Sequence, residues 1–229
     1  MAILPMFPLG SVLLPGAVLP LHVFEPRYQA LVKQCIDSET YEFGVTLIER
    51  GSEVGGGDQR SAVGTVARIV QLAELGEGRL MLVCVGTRRF TVRAWLPDDP
   101  FPLADVDDWP DDWPVDSFGA LPGAAVELPV QVDEFIATLT QRVRRAAALA
   151  VELGDSGVDA GAPVSDDVLL ASYQLVALAP IGTVDSYALL SAPGPLERLQ
   201  GLDTMLDDVE AILRFRLDSG DSDGFDDLG

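Results

Sequence analysis

The side chains that most often do chemistry in proteins are sparse in this sequence. One histidine, His22, and two cysteines, Cys35 and Cys84, lie far apart along the chain. A tetrahedral zinc site needs more ligands than these, so the sequence predicts no metal site. We expect both cysteines to be buried, reduced thiols, because free cysteine is among the most buried residue types. We expect His22 to be a strand residue, since a general base would require a nucleophile beside it.

Two further features could hold a ligand, and both have simpler interpretations. Gly55-Gly56-Gly57 is followed by Asp58 rather than by the Lys and hydroxyl residue of a phosphate-binding loop, so we expect residues 51–57 to form a flexible loop. Paired carboxylates are so abundant that each pair carries little information, and they fall in predicted loops or on solvated helix faces. They are Asp98/Asp99, Asp107/Asp108, Asp111/Asp112, Asp207/Asp208 and Asp226/Asp227. The sequence therefore predicts no catalytic residues and no cofactor.

The composition limits the classes of partner. The chain has 229 residues with 36 acidic and 15 basic side chains, a net charge of -21. Binding to nucleic acid requires Lys and Arg to neutralise phosphates, so the charge argues against a nucleic-acid partner and, for the same reason, against an anionic membrane surface. No apolar run approaches the roughly 20 residues that cross a bilayer. The N-terminus lacks the positive region of a signal peptide, and we expect a cytoplasmic protein.

The first 96 residues predict a β-rich domain. Short segments dominated by β-branched and aromatic residues are separated by Pro and Gly, which is typical of strands and turns. The predicted strands cover residues 3–7, 18–23, 43–48, 62–73 and 80–95. One helix interrupts them, beginning at Pro26 and ending near Asp37.

Residues 97–126 differ from both neighbours and predict an acidic connector. They contain a tandem repeat, Asp107-Asp108-Trp109-Pro110 and then Asp111-Asp112-Trp113-Pro114. Repeated Pro and dense negative charge argue against a long helix or a central strand.

Residues 127–217 predict an α-helical subdomain, because apolar residues recur there at spacings of three and four. We expect helices from about Pro129, over 168–178, over 183–190 with Thr183 as the N-cap, and from about Pro195 to Leu217. The Asp-, Ser- and Gly-rich residues 218–229 predict a disordered tail.

Several segments, taken in their order along the chain, resemble the N-terminal substrate-binding domain of Lon proteases. The resemblance begins with Leu4-Pro5-Met6-Phe7-Pro8-Leu9 and continues through Val12-Leu13-Leu14-Pro15-Gly16 to Leu19-Pro20-Leu21-His22-Val23-Phe24-Glu25-Pro26-Arg27-Tyr28. It returns at Phe43-Gly44-Val45, Val63-Gly64-Thr65-Val66-Ala67-Arg68-Ile69 and Gly86-Thr87-Arg88-Arg89-Phe90. More loosely, the helical half is similar at Ala179-Pro180-Ile181-Gly182 and Glu197-Arg198-Leu199.

This resemblance implies an α+β protein with a PUA-like twisted β-barrel followed by an α-helical bundle. It also implies polypeptide binding, because the family's domain helps to select substrates. The chain departs from full-length Lon in lacking any ATPase module or Ser-Lys protease element, so proteolysis is not carried over and we expect a non-enzyme.

The candidate binding residues are few, and each has a structural alternative. Phe24, Glu25, Arg27 and Tyr28 form a motif that could belong to a binding surface; alternatively Glu25 caps the helix, Arg27 pairs locally and both aromatic rings pack the barrel. Three scarce basic residues and two tryptophans complete the candidates. They are Arg68, Arg88, Arg89, Trp109 and Trp113, which alternatively face outward from strands or pack the connector.

Three functions remain open from the sequence. The first is a non-catalytic polypeptide-binding module that acts as an adaptor or chaperone-like factor, through an apolar groove or strand addition at a sheet edge. The second is a scaffold that binds one folded partner protein through the Trp-containing connector. The third is a small-ligand-binding protein, for which the sequence offers no activated nucleophile or cofactor loop.

Overall fold

The computed structural model describes residues 2–50, 59–76, 78–112, 130–155 and 159–219. The chain divides into two compact units, Met1–Pro110 and Asp111–Gly229, called here the sheet unit and the helical unit. The predicted α+β class, with the strands first and the helices second, is confirmed. The predicted loop at 51–57, the second repeat's Trp113 and most of the predicted tail lie outside the described residues.

Six strands and one helix make up the sheet unit. The strands are β1 (Ala2–Leu9), β2 (Val18–Val23), β3 (Glu42–Arg50), β4 (Gln59–Gly76), β5 (Arg79–Leu96) and β6 (Leu103–Asp108), and α1 (Pro26–Asp37) follows β2. The strand order is β2-β5-β4-β3-β1-β6, and β6 also pairs with the second half of β5. Five strands therefore pair in a ring, while β2 is attached to β5.

Apolar residues on the inner side of the strands form the core with α1. Tyr28, Leu31 and Cys35 of α1 are buried among strand residues, and the Tyr28 ring stacks on Phe7 with 4.0 Å between ring centroids. Close strand packing also requires glycine at one crossing. A Cβ atom on Gly64 would lie 2.3 Å from the carbonyl oxygen of Val45, so a side chain there would force the strands apart.

Strand β6 contradicts the expectation that the connector contains no central strand. It pairs with β1 on one side and β5 on the other. Its residues alternate, so Ala104 and Val106 are buried while Asp105 and Asp107 lie on the other face. Arg93 lies 3.4 Å from Asp107 and 4.0 Å from Asp105. The acidic residues were compatible with a strand because a neighbouring strand supplies an arginine.

Four helices make up the described part of the helical unit. They are α2 (Val130–Glu152), α3 (Val168–Leu178), α4 (Thr183–Leu190) and α5 (Pro195–Asp218). The bounds of α3 match the prediction, whereas the N-cap of α4 is Gly182 and Thr183 is its first residue. Buried leucines on α2 and α5, including Leu139, Leu199, Leu202 and Leu206, form the core between these helices.

Candidate functional site

The part of the sheet that β2 extends has an outward side that is apolar. Side chains directly opposite on paired strands lie on the same face of a sheet. Val18 lies opposite Val85, Pro20 opposite Val83 and His22 opposite Met81. On its other side, β5 pairs with β4 and continues these three rows. The outer face is thus defined by Val18, Pro20, His22, Arg68, Gln71, Ala73, Met81, Val83 and Val85.

The nine residues that define the outer face include no acidic side chain, and the row of Val18, Val85 and Arg68 continues on β3 to the largely buried Glu42, which pairs with Arg68. Six of these nine residues are apolar, and Val18 at the edge of the face is 65% exposed. The adjacent side chains of β2 point the other way: Leu21 and Val23 are buried in the core. A contiguous exposed apolar surface rimmed by polar residues is characteristic of an interaction site.

A small pocket lies beside the outer face where β2 leads into α1. We call it the junction pocket; its volume is about 180 Å³. It is lined by Phe7, Leu9, Pro20, Leu21, His22, Val23, Phe24, Glu25 and Tyr28. Pro20 and His22 belong to both the pocket and the outer face, so the two features are continuous.

The predicted motif Phe24, Glu25, Arg27 and Tyr28 divides into exposed and buried members. Phe24 is 56% exposed at the rim of the junction pocket, whereas Tyr28 is 4% exposed. Glu25 occupies the N-cap position of α1 without a capping hydrogen bond from its side chain. Instead its Oε2 accepts a hydrogen bond from Nε of Arg27 at 3.1 Å, and the Arg27 guanidinium lies 4.5 Å from the Tyr28 ring centroid. Glu25 is therefore the N-cap residue of α1, as expected, although its side chain makes no capping hydrogen bond, and the expected local pairing of Arg27 is present.

Arg68 and Arg88 converge on one carboxylate. Nη2 of Arg68 lies 2.7 Å from Oε1 of Glu42, and Nη1 of Arg88 lies 2.9 Å from Oε2. Nε of Arg88 also contacts Asp108 at 3.0 Å. Burial raises the pKa of Glu42, but hydrogen bonds and charge attraction from the two arginines outweigh it, so the pKa lies below its ordinary value. These arginines already have partners within the sheet unit.

Arg89 and Trp109 contact each other. Arg89 is 2% exposed, so the alternative that it faces outward is wrong. Its guanidinium carbon lies 4.4 Å from the Trp109 ring centroid, and the Trp109 backbone N–H donates to the Arg89 carbonyl at 3.0 Å. Trp109 therefore packs onto the sheet unit, as the structural alternative for the connector expected.

The helical unit contains the most deeply buried charge among the described residues. Arg198 is fully buried and forms an ion pair with Asp111, the first residue of this unit. Its other contacts are Ser172 at 2.8 Å, the Tyr173 hydroxyl at 3.0 Å and the Leu189 carbonyl at 3.1 Å. Because these partners and the Tyr173 ring, whose centroid lies 3.8 Å from the Arg198 guanidinium carbon, all belong to the helical unit, we interpret this cluster as structural.

The described residues offer little for catalysis. Burial raises the pKa of Cys35 to about 11 and that of Cys84 to about 12, so both thiols stay protonated at neutral pH and are poor nucleophiles. Over the same described ranges, no cluster of His, Cys, Asp or Glu could hold a metal ion. None of the helices in those ranges is long and apolar enough to cross a membrane.

The candidates chosen from the sequence were charged and aromatic residues, so Arg68 was the one outer-face residue among them. Val18, Pro20 and His22 alternate with the buried residues of β2, and a period of two was visible in the sequence. The sequence did not show that Val83 and Val85 lie directly opposite them. That information depends on strand register, which the sequence leaves undetermined.

The comparisons with known proteins agree on one family. The model for the ATP-dependent protease La (LON) substrate-binding domain matches residues 3–208. A Lon protease of Anaeromyxobacter dehalogenans is 37% identical over 107 residues, which is 46% of this chain and 13% of that protein. Lon protease 2 of Myxococcus xanthus is 38% identical over 106 residues, again 46% and 13%. The chain thus spans a small part of the curated relatives it matches.

Solved structures give the same picture for the fold. A Lon N-terminal domain protein from Xanthomonas campestris superposes with a TM-score of 0.62 at 28% identity, covering 89% of this chain and 98% of that one. The N-terminal domain of the Mycobacterium avium complex Lon protease has a TM-score of 0.60 at 16% identity, covering 90% and 99%. The second likeness supports the fold alone.

Proposed function

Because the chain belongs to the substrate-binding domain family of ATP-dependent Lon proteases, we propose that it is a non-catalytic polypeptide-binding module that holds unfolded protein segments on its outer face. The observation that carries the proposal is the apolar surface that the exposed Val18 and Pro20 form with the half-buried Val83, in a chain of net charge -21. Such a surface binds by burial of apolar area. The proposal includes a cytoplasmic location.

Unfolded polypeptides expose the apolar segments that native proteins bury, so this surface selects them over folded proteins. An adaptor would then pass the bound segment to a separate protease, and a chaperone-like factor would keep it from aggregating. The two roles share one binding step. Light scattering from a heated client protein separates them, because the chaperone-like role lowers scattering without a protease.

Binding to a permanently unfolded protein tests the proposal directly. Reduced and carboxymethylated α-lactalbumin, an acidic protein that charge attraction does not bring to this chain, should bind the wild type, and native α-lactalbumin should not. Val18→Asp places a charge on the outer face and should weaken this binding about tenfold or more, the scale of an interface hot spot. Fluorescence anisotropy measures both affinities.

The matched control is Val184→Asp in α4, because Val184 is also an exposed valine, at 77%. It adds the same charge to the helical unit, whose residues are not part of the outer face, and should leave the affinity unchanged. Raising the salt from about 0.05 to about 0.5 M should also change the affinity little, since screening weakens charge attraction but not apolar contact. Equal affinity for the two variants, or binding that disappears in salt, would overturn the proposal.

The second candidate, a scaffold for one folded partner, depended on the connector tryptophans. Because the Trp109 ring already contacts Arg89 within the sheet unit, this tryptophan offers less support for binding a folded partner. A stoichiometric complex with a folded protein that survives Val18→Asp would favour it again.

A further inference from the structure

One edge of the sheet is open next to the junction pocket. Within the described part of the chain, β2 has one strand neighbour, β5. The N–H of Gly86 donates to the carbonyl of Ala17, and the register then runs without a bulge from Val18–Val85 to Val23–Leu80. Hydrogen-bonded and non-hydrogen-bonded pairs alternate in an antiparallel ladder. The backbone groups of residues 18, 20 and 22 therefore point away from β5.

This open edge has more acceptors than donors. Val18, Pro20 and His22 each present a carbonyl there, but Pro20 has no N–H. An extended chain can still pair with such an edge, since strand addition uses alternate backbone groups. The excess of carbonyl oxygens favours a partner that brings additional donors.

The junction pocket beside this edge has the capacity for one side chain. Its volume of about 180 Å³ is well below the ~300 Å³ or more of pockets that hold whole small molecules, and an apolar cavity of ~150 Å³ holds a benzene ring. The residues that line the pocket include Phe7 and Tyr28, whose rings stack, and the exposed Phe24.

The charge of the protein favours particular residues next to that apolar side chain in the bound segment. Among the described residues that line the pocket, the titratable side chains are His22, Glu25 and the buried Tyr28. Oε2 of Glu25 already accepts a hydrogen bond from Arg27, so a second cation would be received at Oε1, as Glu42 receives two arginines on its two oxygens. The whole chain carries a net charge of -21, which opposes a second copy and attracts cationic segments.

We propose that the open edge of β2 and the junction pocket together bind an extended segment that has one bulky apolar side chain flanked by Lys or Arg. The apolar side chain enters the pocket, the backbone pairs with β2, and the flanking cation lies near Glu25 and the surplus carbonyls. This inference rests on the proposed polypeptide-binding function and adds to it a preferred sequence.

Short fluorescent peptides test the preference on the full chain. A Lys-Phe-Lys peptide capped at both ends should bind at least about tenfold more tightly than peptides in which Gly replaces Phe or Glu replaces both Lys. Phe24→Ser, at an exposed rim position, should remove most of the gain from Phe. Glu25→Gln should reduce the gain from Lys and leave the gain from Phe.

A pocket-filling variant supplies an independent readout. Leu21→Phe adds volume inside the junction pocket and should abolish the preference for Phe. Its matched control is Leu213→Phe in α5, since Leu213 is similarly buried at 4% against 8% for Leu21. Thermal unfolding of both variants checks that each is folded. If Leu21→Phe does not fold, Phe24→Ser decides the result.

The outcomes separate this inference from the function on which it rests. Wild type that binds unfolded α-lactalbumin but ranks the Phe and Gly peptides equally overturns the inference and leaves the proposed function standing. Wild type that binds no unfolded protein overturns both. A peptide that binds only with a free, uncapped N-terminus also overturns the inference, because the cation recognised would then be the terminal amine.

Discussion

The two Asp-Asp-Trp-Pro repeats have the same sequence and different structural uses. In the first repeat Asp107, Asp108 and Trp109 all contact arginines of β5, which are Arg93, Arg88 and Arg89 in that order. In the second repeat the carboxylate of Asp111 pairs with the buried Arg198 of the helical unit. A repeated motif therefore does not imply a repeated role, because the neighbouring side chains decide which member is used.

The largest effect should come from Asp111→Ala. It leaves the fully buried Arg198 without its carboxylate, and breaking a buried ion pair from one side costs about 3–5 kcal/mol. The free energy of unfolding of the helical unit, followed by denaturant titration, should fall by that amount. Asp112→Ala is the control, since its side chain is exposed and it contacts Pro193 through its backbone N–H. Equal destabilisation by both changes would remove the distinction between the repeats.

A smaller effect should come from Trp109→Ala, which removes the ring that covers the Arg89 guanidinium. Loss of a partly desolvated cation–π contact costs about 1–2 kcal/mol, and Trp109→Phe should restore most of it because a ring remains. Calorimetry of the thermal transition measures the change. Polypeptide affinity should be unaffected. Loss of a bound partner without loss of stability would instead support the scaffold function.

The smallest effect should come from Glu42→Gln, which removes the carboxylate that pairs with the exposed Arg68 and Arg88. Ion pairs of this kind contribute about 1 kcal/mol or less. The pKa of Glu42 is lowered by folding, so its stabilisation is present above the ordinary Glu pKa and is lost as the pH falls through the folded value. The difference in unfolding free energy between wild type and Glu42→Gln should therefore shrink between about pH 7 and about pH 3.

Glu74→Gln is the control for the loss of a carboxylate, because Glu74 is exposed near the end of β4. At about pH 7 it should lower the free energy of unfolding less than Glu42→Gln does. A Glu42→Gln difference that stays constant over the acid range would mean that the arginines do not stabilise the Glu42 carboxylate in the folded state.

The sequence predicted those parts of the molecule that local rules determine. The bounds predicted for the helix 26–37 and the strand 18–23 agree with the structure. Pro26 marks the start of the helix, and β-favouring residues between turn residues mark the strand. Strand β6 was missed because its Asp residues suit a strand only when Arg88 and Arg93 of β5 lie beside them. Such long-range pairs are absent from any local pattern.

The candidate site was predicted less well for the same physical reason. Of the residues proposed from the sequence, Phe24 is exposed at the junction pocket and Arg68 lies on the outer face, whereas Tyr28 and Arg89 are buried. Burial depends on what packs over a side chain, and residue type alone does not determine it. The binding role of these residues stays a prediction.

The apolar outer face also bears on how copies of the protein behave in concentrated solution. Each copy carries a net charge of -21, so long-range repulsion keeps the apolar faces of two molecules apart under ordinary conditions. In about 1 M salt the repulsion reaches only ~3 Å, and nothing then prevents face-to-face contact. Self-association through this surface should therefore increase with ionic strength, which light scattering at about 0.1 and about 1 M salt would measure.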